Sequence, residues 1–247
     1  MKRLIIFACI LAGTFSAHRA LACTGITLHT ANNYPVTART IEWAATPLHA
    51  MYVIVPRGQQ QRSFLPDGTL AGKTFTAKYG YVGISVENDA FVMEGINEAG
   101  LGVGLFYFPQ YGEYQPYDPQ KKEQSVSDMQ LAAWILSSFA SINELQAAMP
   151  QIRVIATDPR ASTVHWRITE SSGRQVVLEI VNQHVHFYEN PLGVLTNSPD
   201  FGWHLTNLNN YVNLSAGSIN HRQVGRLNLN AFGGGSGLHG LPGDMTP

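Results

Sequence analysis

The order of its periodic segments constrains this chain most. Strand-like blocks come first, one helical pair follows, and strand-like blocks return. Thr24 to Thr30 alternates Ile26 and Leu28 with Thr27 and His29, the pattern of a half-buried strand. Asn32-Asn33-Tyr34-Pro35 has turn chemistry, and Val36 to Ile41 reads as the return strand. The two arms form a hairpin with Cys23 on one and Arg39 on the other. Met51 to Pro56 reads as a further strand, and Gln59 to Gly72 as a loop or hairpin tip. Lys73 to Glu87 and Phe91 to Pro109 are rich in Val, Ile, Tyr, Phe and Gly and read as successive strands, with Asn97-Glu98-Ala99-Gly100 as a turn. Tyr111 to Tyr117 reads as a loop.

The helical pattern follows. Ser127 and Gln130 make a capping-box pattern ahead of Met129, Ala132, Ala133, Leu136, Phe139 and Ala140 at helical spacing. Ser141 and Glu144 make a second one, and Pro150 marks the end of that helix. Strands resume at Thr163 to Thr169, Gln175 to Val181 and His184 to Tyr188, with Ser171-Ser172-Gly173 as one turn. This order predicts an α+β fold with antiparallel hairpins, not the regular βαβ alternation of a nucleotide-binding sheet.

The N-terminus carries an address. Met1-Lys2-Arg3 is basic, Leu4 to Phe15 is apolar, and Ala20-Leu21-Ala22 is a cleavage signature directly before Cys23. The apolar run is too short to span a bilayer comfortably. Residues 1–22 are therefore expected to be a removed signal peptide and residues 23–247 one domain, periplasmic or secreted. The formal net charge of −1 gives no electrostatic footprint for nucleic acid, and no second long apolar segment predicts a membrane span. Of the two cysteines, Cys9 lies in the leader. Cys23 then stands alone in an oxidising compartment, with no partner for an internal disulfide.

Three readings of Cys23 stay open at this point. It can be a passive residue near the terminus. It can be a lipoprotein anchor, although Ala20 stands where such signals place Leu. It can also be an N-terminal nucleophile, whose own α-amine serves as the base for its thiol. Both groups titrate at about 8 in water, close to working pH.

Cys23-Thr24-Gly25 through Ala38-Arg39-Thr40-Ile41-Glu42-Trp43 resembles the choloylglycine hydrolase family, which includes bile salt hydrolases and penicillin V acylases. So do Glu94 to Leu101, Asn190 to Pro199, Trp203 to Tyr211 and Gly240 to Asp244. The resemblance implies an N-terminal nucleophile hydrolase with a four-layer αββα sandwich of antiparallel sheets. The implied activity is hydrolysis of a linear amide: the penicillin V side chain, a conjugated bile salt or an N-acyl homoserine lactone. The pair Glu42-Trp43 looks most like the Gram-negative penicillin V acylase branch. Family members often assemble as tetramers, so a homotetramer is the assembly the resemblance implies. The family usually continues into a segment with a second active-site arginine, so this chain, which stops at Thr246-Pro247, is expected to be a C-terminally incomplete fragment.

The resemblance also assigns roles. Cys23 is the nucleophile. The fixed charge of Arg39 favours the thiolate, and Glu42 holds the α-ammonium. The Asn197 side-chain amide stabilises the oxyanion. The Tyr107 backbone N–H is a second oxyanion donor, with a one-residue ambiguity toward Phe106, and Trp43 and Tyr107 line the acyl pocket. No pattern calls for a metal or organic cofactor. His184 and His186 share a strand face without the company a zinc site needs. Gly233 to Gly237 lacks the ending of a phosphate loop, and Asn213-Leu214-Ser215 is a glycosylation sequon by pattern only. A lipid-anchored or non-catalytic binding protein derived from this family is the alternative.

Overall fold

The structure, a computed structural model, describes residues 23–42, 48–159, 161–212 and 221–230. The leader, Trp43, the sequon, the glycine-rich run and Gly240 to Asp244 lie outside them.

The hairpin comes first: β1 (Gly25–His29) pairs antiparallel with β2 (Pro35–Arg39), and Gly25 lies opposite Arg39. Asn33 takes a left-handed φ of 62° in the turn, a conformation Asn tolerates better than most residues. Next come β3 (Ala50–Val55), β4 (Gln60–Arg62), β5 (Thr74–Thr76), β6 (Tyr81–Val86), β7 (Asn88–Asn97) and β8 (Gly102–Tyr107). The polar Gln59 to Gly72 segment is largely the tip of the β4–β5 hairpin. After β9 (Ser125–Ser127) stand the two helices, α1 (Leu131–Ser138) and α2 (Ile142–Ala148), and then β10 (Arg153–Ile155). The strands β11 (Val164–Thr169), β12 (Gln175–Val181) and β13 (His184–Glu189) follow, then α3 (Phe201–Asn207), β14 (His221–Val224) and β15 (Leu227–Asn230).

Seven strands make one sheet, in the order β13-β12-β11-β8-β7-β6-β3, with every neighbouring pair antiparallel. The short β9–β10 pair is parallel. Strand alternation gives the sheet two different faces. Val103, Leu105, Trp166, Ile168, Val176 and Leu178 point to one, where they pack with Leu131, Ile135, Leu136, Ile142 and Leu145 of the helices. Phe106, His165, Arg167, Val177 and Glu179 point to the other, where the β1–β2 hairpin sits. Further along that second face Tyr52 and Ile54 of β3 are 91% and 77% exposed, beside Val82, Ile84 and Ile96.

The helix starts are only partly as the sequence predicts. Ser127 makes no capping bond. Asp128–Gln130 forms a 3-10 turn, and α1 begins at Leu131. The Ser127 hydroxyl is engaged instead with that of Thr157. At α2, Ser141 Oγ accepts from the Glu144 N–H at 3.2 Å, but the Glu144 carboxylate reaches the Ala140 N–H, so only half of the box forms. The helix ends at Ala148, ahead of a 3-10 turn containing Pro150.

The Asn97–Gly100 turn does more than reverse the chain. Gly100 has φ +84°, a left-handed value suited to glycine. The buried Asn97 side chain donates to the carbonyls of Leu136 and Phe139 at 2.9 and 2.7 Å, at the C-terminus of α1. Its oxygen accepts from the N–H groups of Ala99 and Leu101, both at 3.0 Å. The turn therefore caps a helix end whose carbonyls lack helical partners. Asn97→Ala leaves these buried groups unpaired and is expected to cost about 2–3 kcal/mol, read as a lower urea midpoint with an unchanged m-value.

Candidate active site

Cys23 is buried, 6% exposed, in a cluster with Phe106, Val177, Leu195 and Phe201. It lies two residues before Gly25, and Gly25 is cross-strand partner to Arg39. In antiparallel pairing, partners share a face, as do residues i and i+2. Cys23, Gly25 and Arg39 thus face the same way, toward Phe106. The Arg39 guanidinium stacks on the Phe106 ring at 4.1 Å.

No larger residue fits at Gly25. A Cβ there would stand 2.6 Å from Phe106 Cζ and 2.7 Å from Arg167 Nη1. Phe106 is fully buried, and Arg167 is held by its bonds. Gly25→Ala is expected to cost about 1–3 kcal/mol through overpacking. A lower urea midpoint reads the loss; an unchanged midpoint would contradict this packing against Phe106 and Arg167.

Arg39 is clamped. Its Nη1 donates to the Met93 carbonyl at 3.1 Å and to that of Leu105, and its Nε donates to Thr40 O at 3.2 Å. Nη1 lies 3.7 Å from Glu94 Oε2. Nη2 is buried with no hydrogen-bond partner among the described residues. A buried donor without an acceptor is costly in a finished core and useful in a site, where a thiolate or substrate oxygen can accept from it.

Beneath Arg39 lies a second arginine. Arg167 is 1% exposed; its Nη2 donates to Glu94 Oε1 at 3.3 Å and its Nη1 to Ile26 O at 3.2 Å. Glu94, Gly104 and Arg167 stand in one row across the sheet. Gly104 makes the reach possible, since a Cβ there would collide with the Glu94 carboxylate. Burial holds the Glu94 carboxyl above its ordinary value, while Arg167 and then Arg39 pull it back down. Burial likewise lowers Arg167 from its ordinary value, and Glu94 opposes that. The result is an Arg39–Glu94–Arg167 trio under the hairpin, with both arginine side chains buried and Glu94 half-buried between them. Neither Glu94 nor Arg167 is among the site residues expected from sequence. The signal was alternation: His165, Arg167 and Thr169 occupy one face of a strand whose other face carries Trp166 and Ile168.

Residues 195–198 form a strap that joins this cluster at Leu195. Leu195 pairs with Gly25 through N–H···O bonds of 2.7 and 3.0 Å. Asn197 follows, 8% exposed, and its carbonyl accepts from His204 Nε2 at 3.1 Å. Ser198 Oγ donates to Pro109 O at 2.6 Å.

Glu42 is exposed, and the carboxylate that meets Arg39 is that of Glu94. The β8 ring beside Cys23 is that of Phe106. Tyr107, next in the strand, points to the other face, and its hydroxyl donates to Ser162 Oγ at 2.8 Å. Among the described residues no cluster of His, Cys, Asp or Glu could hold a metal ion, and no helix is long and apolar enough to cross a membrane.

The site therefore sits on an antiparallel sheet with helices on one face and a cysteine-bearing hairpin on the other. The model of the linear amide C–N hydrolases, choloylglycine hydrolase family, matches residues 23–247, and the chain belongs to that family. A bile salt hydrolase/transferase from Clostridium perfringens is 31% identical over 231 residues, covering 91% of this chain and 68% of the relative. A penicillin V acylase from Pectobacterium atrosepticum is 28% identical over 224 residues, covering 85% and 58%. The solved structure of a mutant conjugated bile acid hydrolase from C. perfringens superposes with a TM-score of 0.68 at 30% identity, covering 91% of this chain and 68% of that one.

Proposed function

We propose that the chain is an exported linear-amide hydrolase that uses Cys23, freed as residue one by removal of residues 1–22, as its nucleophile. One observation carries this reading. Cys23 shares a face and the Phe106 cluster with Arg39, whose Nη2 is buried without a partner among the described residues.

The α-amine takes the thiol proton, and sulfur attacks the amide carbonyl. Negative charge collects on the carbonyl oxygen, where the Asn197 amide donates. Collapse breaks the C–N bond, and the ammonium gives its proton to the departing amine. The thioester then reacts with water, activated by the same amine, and the acid leaves. Glu42, on the segment after β2, steadies the ammonium in this scheme. Tyr107 contributes its backbone N–H, and Trp43 an aromatic wall for the acyl group. Asn197→Ala is expected to lower kcat by about 10²–10³-fold with KM little changed, because the donor acts where charge develops.

The substrate class is an N-acylated amine: the penicillin V side chain, a conjugated bile salt or an N-acyl homoserine lactone. The exported protein, incubated with penicillin V, glycocholate and a long-chain N-acyl homoserine lactone, should release the free amine from at least one of them. An unmodified N-terminal Cys23 with no release from any N-acyl amide would overturn the proposal.

A further inference from the structure

The strap that carries Asn197 is fixed at each of four consecutive residues by a different element. Leu195 is held by β1, Asn197 O by His204 of α3, and Ser198 by Pro109. The fourth anchor is buried. His165 of β11 is 0% exposed, and its Nε2 lies 2.9 Å from Thr196 O. A carbonyl can only accept, so Nε2 carries a hydrogen. The other ring nitrogen, Nδ1, lies 2.9 Å from Glu179 Oε1, and Glu179 is also fully buried. With Nε2–H spent on Thr196, a bond at that distance requires a proton between Nδ1 and Oε1.

The ring has no freedom to turn away. Phe108 stacks on it at 4.4 Å with planes 8° apart, and Phe106 meets it edge-on at 6.3 Å. Glu179 Oε1 also accepts from the Phe201 N–H at 3.0 Å, at the start of α3. One carboxylate oxygen therefore ties together the histidine that holds Thr196 and the helix whose His204 holds Asn197. Phe201 and Leu195 pack in the same cluster as Cys23.

We propose that the buried His165–Glu179 pair is a positioning device for Asn197: it fixes the strap through Thr196 and α3, and so sets the place of the Asn197 amide relative to Cys23. The proposal rests on the reading of Cys23 as nucleophile and Asn197 as oxyanion donor. Burying a polar pair gives a core little that apolar residues would not. Its return here is geometric, since misplacing a catalytic group by about 1 Å can cost on the order of 100-fold in rate.

The test uses the full exported protein and kcat, KM and Cys23 alkylation by iodoacetamide, with the amide it cleaves from the panel of penicillin V, glycocholate and an N-acyl homoserine lactone. His165→Ala is expected to lower kcat about 10–100-fold with KM within twofold, and to leave the alkylation rate of Cys23 within twofold. His165→Gln, which keeps an N–H donor for Thr196 O, should recover part of the loss. Glu179→Gln, near-identical in shape, should lose kcat in the same direction and serves if the alanine variant fails to fold. In an Asn197→Ala background the His165 change should cost little more, because it acts through that amide. Full kcat in folded His165→Ala and Glu179→Gln, or losses that simply multiply with Asn197→Ala, would overturn the positioning role. Turnover that survives Cys23→Ala would instead overturn the underlying mechanism, so the two failures are distinguishable.

Discussion

Replacing Cys23 with alanine should abolish turnover while leaving the fold intact. The expected loss in kcat is on the order of 10⁴-fold or more, the scale seen when a covalent nucleophile is removed and only binding and oxyanion stabilisation remain. The fold should survive because alanine keeps the Cβ and most of the small apolar volume at a site packed by Phe106, Val177, Leu195 and Phe201. Circular dichroism and a thermal melt establish the fold, and release of amine from the cleaved substrate gives the rate. The Cys23→Ser variant is informative beside it. A hydroxyl is a far weaker nucleophile at neutral pH but keeps the hydrogen-bonding capacity, so its rate should lie between the two. Turnover within tenfold of wild type in folded Cys23→Ala would remove the cysteine from the mechanism.

Arg167→Ala should have the largest effect on stability, about 3–5 kcal/mol, the range for breaking a buried ion pair by removing one partner. The variant strips Glu94 of its 3.3 Å donor, leaves Ile26 O without its 3.2 Å donor, and hollows the floor under Gly25. The sign of its pH dependence follows from Glu94. Burial already raises that carboxyl above its ordinary value, and Arg167 is the foremost influence pulling it down. A group with a raised folded value contributes its stability fully below its unfolded value and loses it as pH rises through the folded one. In the variant the folded value moves higher still, so more stability is lost on the way to neutrality. The gap between wild type and Arg167→Ala should widen from pH 4.5 to pH 7. Urea titrations at the two pH values measure it; a gap that narrows would show that Arg167 does not hold the Glu94 charge.

The parts of the fold that follow local rules were legible. Alternation in Thr24 to Thr30 and Val36 to Ile41 located the hairpin, and Asn97 to Gly100 announced its turn. Family motifs led to Cys23, Arg39 and Asn197, which the fold sets on the hairpin and its strap. Long-range partners were not legible. Ser127 loses its capping role to Thr157, thirty residues away. No local pattern pointed to Glu94, whose carboxylate meets Arg39 across the sheet. That contact depends on strand order and on the absent side chain at Gly104, neither of which a local pattern carries. That the Phe106 ring and not that of Tyr107 joins Cys23 was not legible either, since a single step along a strand reverses the face.

The central claim is that Cys23 becomes a free N-terminal residue that does chemistry. Intact mass and N-terminal sequencing of the protein exported by a Gram-negative host test it most directly. The account predicts a mature chain that begins at unmodified Cys23, with thiol and α-amine both free. A retained leader, cleavage at another bond, or a diacylglyceryl group on Cys23 would contradict it and favour a lipid-anchored or non-catalytic binding protein.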